Sequence, residues 1–255
     1  MPARSTRVTA AAREDAREHI KEHALGEAAR IEKLSRIREF VLGAQDGLLV
    51  PLGVVTGMAA ANPGRSAILV AGLAEAVAGS IAMGGGSYLA SEAEEALYAA
   101  EIEDEGQEVE DEPGREMAEL ALILEREGLS RDAAERVSAG LATDPNVFLR
   151  TKVQKELGLS PDVGGAARGD ALVVGLTYLA AAFIPLWPYV VLPLLTPALV
   201  VSVACTLVAL FCLGVAKGTV ARQARGRAGL QVLVIGSISA AVGYGIGHLV
   251  TAVVG

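Results

Sequence analysis

The chain has 255 residues, 52% of them apolar and only 4% aromatic, with a mean hydropathy of +0.42 and a net charge of −8. This balance does not suit one large soluble core, so the apolar residues must be gathered into runs. Only Cys205 and Cys212 are present, both inside an apolar run, which excludes a disulfide framework and argues against a thiolate metal site.

Residues 1–39 are charged throughout and lack the apolar stretch of a cleavable signal peptide. Ala-rich text from Thr9 to Arg38 has good helix propensity and mixed charge, and predicts an amphipathic helical arm. Two apolar runs follow, Phe40 to Ala61 and Ser66 to Ala90, each long enough to cross a bilayer, which takes about 20 residues. The turn Asn62-Pro63-Gly64-Arg65 between them forces an antiparallel hairpin. Residues 91–165 then hold twenty Asp/Glu against seven Lys/Arg, and the rest of the chain is net basic. Pro113-Gly114, Gly128 and Pro145 divide this acidic insert into four short helices. Met117, Leu120, Ala121 and Leu124 share one face of the second, so that helix packs. Beyond the insert, Ala171 to Trp187 is a third span, expected to turn at Pro185-Leu186-Trp187-Pro188. Val190 to Ala216 returns, and Leu230 to Val254 is the fifth span. The expected class is all-α: five membrane spans with a helical domain, residues 91–169, between the second and third.

Direction follows from the basic residues. Nine Lys/Arg precede the first span, and Lys217, Arg222, Arg225 and Arg227 separate the fourth from the fifth. The positive-inside rule places both segments in the cytosol. The expectation is a multi-pass protein of the cell inner (plasma) membrane, with the N-terminus and residues 91–169 cytosolic and the C-terminus outside.

The chemistry-bearing residues lie in two groups. Asp46 and Glu75 are acids inside spans, where an ionised side chain costs about 2.5–3.5 kcal/mol and usually marks an ion or proton path. Glu39, seven residues before Asp46, projects from nearly the same stripe, and Met83 lies eight after Glu75, about 80° around the axis. Carboxylates with one thioether suit a first-row divalent metal better than calcium or magnesium. His248, near the outer end of the fifth span, reads as a snorkelling or capping residue. Pro51 frees a backbone carbonyl in the first span, and Gly43, Gly47, Gly53 and Gly57 permit close helix contact. In the insert, Glu105 with Glu108 and Glu116 with Glu119 stand at i, i+3 spacing on either side of Pro113-Gly114. Like charges so placed repel unless a cation lies between them. A plain solvated acidic surface is the alternative reading of these pairs.

Several of these stretches together resemble the vacuolar iron transporter family: Gly43-Ala44-Gln45-Asp46-Gly47, Ala74-Glu75 with Met83 and Tyr88, Phe148 through Glu156-Leu157-Gly158, Ile184 to Tyr189, and Tyr244-Gly245-Ile246-Gly247. The resemblance covers about Arg36 to the C-terminus. It implies a five-span homodimer that removes Fe²⁺ from the cytosol by proton antiport, with Glu39, Asp46, Glu75 and Met83 lining the transport path. It also places the family's cytosolic metal-binding carboxylates on Glu105, Glu108, Glu116, Glu119 and Glu156. Where similar family members carry two adjacent methionines, this chain has Lys152 and Val153, and a cation at Lys152 opposes metal charge. No permanent cofactor and no nucleic-acid partner are expected; the partners are Fe²⁺ (or Mn²⁺ or another divalent metal), protons and lipid. The alternative function is a membrane-anchored metal sensor or store. A di-iron oxidase is disfavoured, because such sites commonly add Glu-x-x-His and no His lies between residues 24 and 247.

Overall fold

In a bilayer every backbone polar group must be satisfied within the chain, and long apolar helices achieve this. The computed structural model describes residues 10–62, 64–158 and 167–254, and all regular structure among them is helical. The elements are α1 (Ala10–Ala61), α2 (Arg65–Asp111), α3 (Pro113–Arg126), α4 (Arg131–Leu141), α5 (Pro145–Lys152), a π-helical turn (Val153–Leu157), α6 (Ala167–Val191), α7 (Leu195–Val220) and α8 (Arg225–Val254). Five of these, α1, α2, α6, α7 and α8, contain stretches long and apolar enough to cross a membrane. The chain forms two compact units, Met1–Gly85 with Gly169–Gly255, and Gly86–Arg168.

Two predicted boundaries vanish into longer helices. The arm, described from Ala10 onward, continues without a break into the first span as α1, while residues 1–9 lie outside the described ones. The second span and the first helix of the insert are likewise one helix of 47 residues, α2. Neither junction contains a breaker, since a change from apolar to charged text alters the solvent a helix prefers but not its backbone. The turn between α1 and α2 falls where expected, with Asn62 and Gly64 at positive φ (52° and 97°).

The predicted turn at Pro185–Pro188 is corrected: α6 runs through both prolines to Val191, and the chain reverses at residues 192–194. Proline is tolerated inside membrane helices when neighbours satisfy the freed groups. The carbonyls that lose an intrahelical donor are those of Ala181 and Ile184, and the Ser202 hydroxyl of α7 donates beside them, to the Pro185 carbonyl at 2.6 Å, pinning α7 to this stretch. The Arg65 guanidinium donates to the Val190 carbonyl at 3.3 Å and meets that of Leu192 at 3.5 Å, covering the end of α6.

Within the membrane unit, glycines set the helix spacing. A Cβ at Gly57 would lie 2.9 Å from the Gly243 carbonyl oxygen, so α1 and α8 are in backbone contact. Between α2 and α6, a Cβ at Gly84 would stand 3.0 Å from the Ala171 oxygen, and the Ser80 hydroxyl donates to the Gly175 carbonyl at 2.8 Å. The backbone of α6 also meets Gly43 and Gly47 of α1, at Val174 and Tyr178. Apolar cores around Val55, Ile68, Ala182 and Leu186, and around Leu48, Ala181 and Leu210, fill the remaining space.

The second unit has its own core. Leu120, Ala121 and Leu124 of α3 pack with Ala134 of α4 and Phe148 of α5, and Met117 lies against them, as the apolar face of α3 predicts. Pro113 occupies the first turn of α3, Ser130 is the N-cap residue of α4, and the Asp144 carboxylate caps α5 by accepting from the Asn146 and Val147 amides.

Candidate metal path and acidic cluster

In the membrane unit, Asp46 and Glu75 both lie half-buried in spans. Glu75 is held from α6: the Tyr178 hydroxyl donates to its Oε1, while its Oε2 is buried without a hydrogen-bond partner. The fold makes this contact possible at two glycines. Gly47, next to Asp46, lets the Tyr178 backbone come against α1, and Gly79, one turn after Glu75, leaves room for the Tyr178 ring. Pro51 lacks the N–H that would bond the Gly47 carbonyl, which adds an acceptor one residue from Asp46. Glu39 is buried and accepts from the Arg38 guanidinium at 2.9 and 2.7 Å. Met83 is half-buried on α2. Tyr178 is the residue that sequence reasoning missed; a lone tyrosine within an apolar span was the available signal, because a phenolic hydroxyl in hydrocarbon needs a partner.

In the second unit, four of the five expected carboxylates converge on one ammonium. Lys152 Nζ lies 3.0 Å from Glu105 Oε1, 3.3 Å from Glu119 Oε2 and 2.8 Å from Glu156 Oε2, and donates to Glu116 Oε2 as well. The side chains of Lys152 and Glu116 are both 0% exposed. Oxygens of Glu105, Glu116 and Glu156 lie within 4.8 Å of one another, a spacing that a single cation can bridge. Glu108 is not part of this group; it stays exposed, because three residues along a helix turn it about 60° away from Glu105. The π-helical turn begins immediately after Lys152 and ends at Gly158, whose φ of 66° lets the chain leave the helix. π-Turns of this kind often sit at functional positions.

The electrostatics follow from the crowding. Burial lowers the affinity of Lys152 for its proton, but hydrogen bonds to Glu116, Glu156 and Glu105 outweigh it and hold the ammonium above the ordinary lysine value. Burial pushes the Glu105 carboxyl up, against the pull of Lys152. For Glu119, burial also raises the carboxyl, but Lys152 and Arg115 prevail and hold it below the usual glutamate value. Sequence reading identified Lys152 as an opposing charge but could not locate it among four acids that come from two separate helices and a π-turn.

The model of the VIT family matches residues 37–248. The chain is 36% identical over 214 residues to vacuolar iron transporter 1 of Arabidopsis thaliana, covering 84% of this chain and 86% of that one. It is 34% identical over 217 residues to vacuolar iron transporter 1 of Tulipa gesneriana, covering 85% and 88%. It is also similar to protein CCC1 of Saccharomyces cerevisiae, at 24% identity over 213 residues, covering 80% and 66%.

Proposed function

The chain belongs to the VIT family of metal transporters, and from that premise we propose that it exports a divalent metal, Fe²⁺ first, from the cytosol in exchange for protons. The observation that carries the reading is Glu75: a carboxylate inside a span, fixed at one oxygen by Tyr178 and left with the other buried and unpartnered. An acid in that position can hold a proton or a cation, and the exchange of one for the other couples the two flows. Asp46 supplies the second carboxylate, with Glu39 and Met83 extending the path along α1 and α2.

The energetics favour an antiport. Moving a doubly charged ion outward against an inside-negative potential costs about 4.6 kcal/mol per 100 mV, and inward proton movement offsets it. Direction rests on the basic segments before α1 and between α7 and α8, which put those segments and residues 91–169 in the cytosol. Two of these relatives are named vacuolar iron transporters, and a vacuole's lumen and the cell exterior are both removed from the cytosol; for this chain the proposed membrane is the inner (plasma) membrane. The acidic unit captures the ion before transport, through Glu105, Glu116, Glu119 and Glu156, with Glu108 at the exposed margin. A homodimer belongs to the same reading: α2 leaves Val70, Leu73, Val77 and Ile81 uncovered, an apolar face that a second copy would bury.

The test is Fe²⁺ uptake into proteoliposomes with a pH indicator on both sides. Metal movement accompanied by opposite proton movement is expected. Metal movement without proton movement overturns the coupling, and metal binding without any flux favours a membrane-anchored sensor or store.

A further inference from the structure

Among the described residues, Lys152 is the only buried cation. Its surroundings are also over-supplied with negative charge: an ammonium has three N–H donors, and four carboxylates lie around it. Four carboxylates against one ammonium leave three formal negative charges. Glu116 Oε1 is buried without a hydrogen-bond partner, while Lys152 meets the other oxygen of that carboxylate, so the cluster has acceptor capacity that the lysine does not use. Such a group of oxygens suits a cation of higher charge.

We infer that Lys152 is the resident cation of this cluster: its ammonium stands among Glu105, Glu116, Glu119 and Glu156 where a metal ion would bind, and a divalent metal is captured only by displacing it. The inference rests on the capture reading above and specifies how capture is regulated. In the metal-free state Lys152 neutralises acids contributed by α2, α3 and the π-turn, so the unit stays closed without metal. Glu119 and Glu156 also line a cleft of about 530 Å³ with Arg126, Glu127 and Lys155. The displaced ammonium has a route to water there, because the long lysine stem can stay packed while its head moves out. Capture is therefore an exchange with a threshold. Mg²⁺, which gives up its water reluctantly, competes poorly for such a site.

The experiment is equilibrium dialysis of the full chain in detergent micelles against Co²⁺, with and without excess Mg²⁺. All samples carry Asp46→Asn and Glu75→Gln so that the membrane acids contribute no binding. Lys152 is compared with Lys152→Met and Lys152→Gln, and hydrogen exchange of α3 and α5 is followed in the metal-free state. The expected result is Co²⁺ binding at least tenfold tighter in the Met and Gln variants, faster metal-free exchange than with Lys152, and protection restored by Co²⁺. A variant that folds only when Co²⁺ is present supports the inference in the same way. Equal affinity with Lys152 and with Met overturns it and leaves the capture reading intact. Binding by the variants with none by the Lys152 form supports the resident cation but overturns capture. No Co²⁺ binding by any form overturns both.

Discussion

Replacing Gly79 by alanine perturbs the membrane site without touching either acid. The added Cβ would lie 2.6 Å from Tyr178 Cζ and 2.7 Å from Cε1, and closer still to the hydroxyl oxygen. Carbon contacts are comfortable at about 3.5–4.0 Å, so the ring must move by roughly 1 Å. It cannot simply retreat, because the backbone of Tyr178 is already seated against Gly47. Overpacking of this kind costs about 1–3 kcal/mol. The hydrogen bond to Glu75 is the smaller loss, since interhelical bonds in membranes average about 0.6 kcal/mol and reach about 1.7. Steric displacement therefore dominates, and the two losses together correspond to roughly ten- to a thousandfold if both fall on transport. Tyr178→Phe removes the smaller term alone and should lower flux by less than about twentyfold. The assay is initial Fe²⁺ uptake into proteoliposomes, with size-exclusion profiles confirming intact protein. Gly79→Ala at the unsubstituted rate, or a loss smaller than that of Tyr178→Phe, would refute the reasoning.

The remaining expectations concern packing and charge elsewhere. Phe148→Ala empties the centre of the acidic unit's core and should destabilise that unit by about 3–5 kcal/mol, read as faster hydrogen exchange across α3 to α5. Gly243→Leu would drive a side chain into Thr56 Oγ1, 2.8 Å from the added Cβ, and into the Gly53 backbone, so α8 should separate from α1 and the yield of monodisperse protein should collapse. Because Glu119 is held below the ordinary glutamate value in the folded unit, its ionised form stabilises the fold at neutral pH. That contribution is present above about pH 4.3 and is lost as pH falls through the lower folded value. The stability gap between the unsubstituted chain and Glu119→Gln should therefore close on acidification, in hydrogen-exchange profiles taken from pH 7 downward; a gap that widens contradicts the assignment.

Much of the architecture was legible because membrane spans are written in long apolar runs and hairpins in Asn, Pro and Gly. Asn62 and Gly64 did adopt the positive φ that their turn requires. Pro185 and Pro188 misled, since proline's cost inside a membrane helix depends on the surroundings that neighbouring helices provide, and Ser202, which bonds this stretch of α6, lies seventeen residues away in sequence. The fusion of the arm with the first span, and of the second span with the insert, was hidden because solvent preference changes there while helix propensity does not. Of the site, the acids could be named from the sequence, but their company could not. Tyr178 reaches Glu75 only because Gly47 and Gly79 allow α6 close, and Lys152 lies among four glutamates only because α2, α3 and the π-turn converge.

The central claim is that acids inside the spans exchange protons for metal. Fe²⁺ uptake driven by an imposed proton gradient, compared between the unsubstituted chain and Asp46→Asn and Glu75→Gln, tests it most directly. The account predicts at least a tenfold loss in each variant, with the isolated protein still folded. Uptake at the unsubstituted rate in either variant would contradict it.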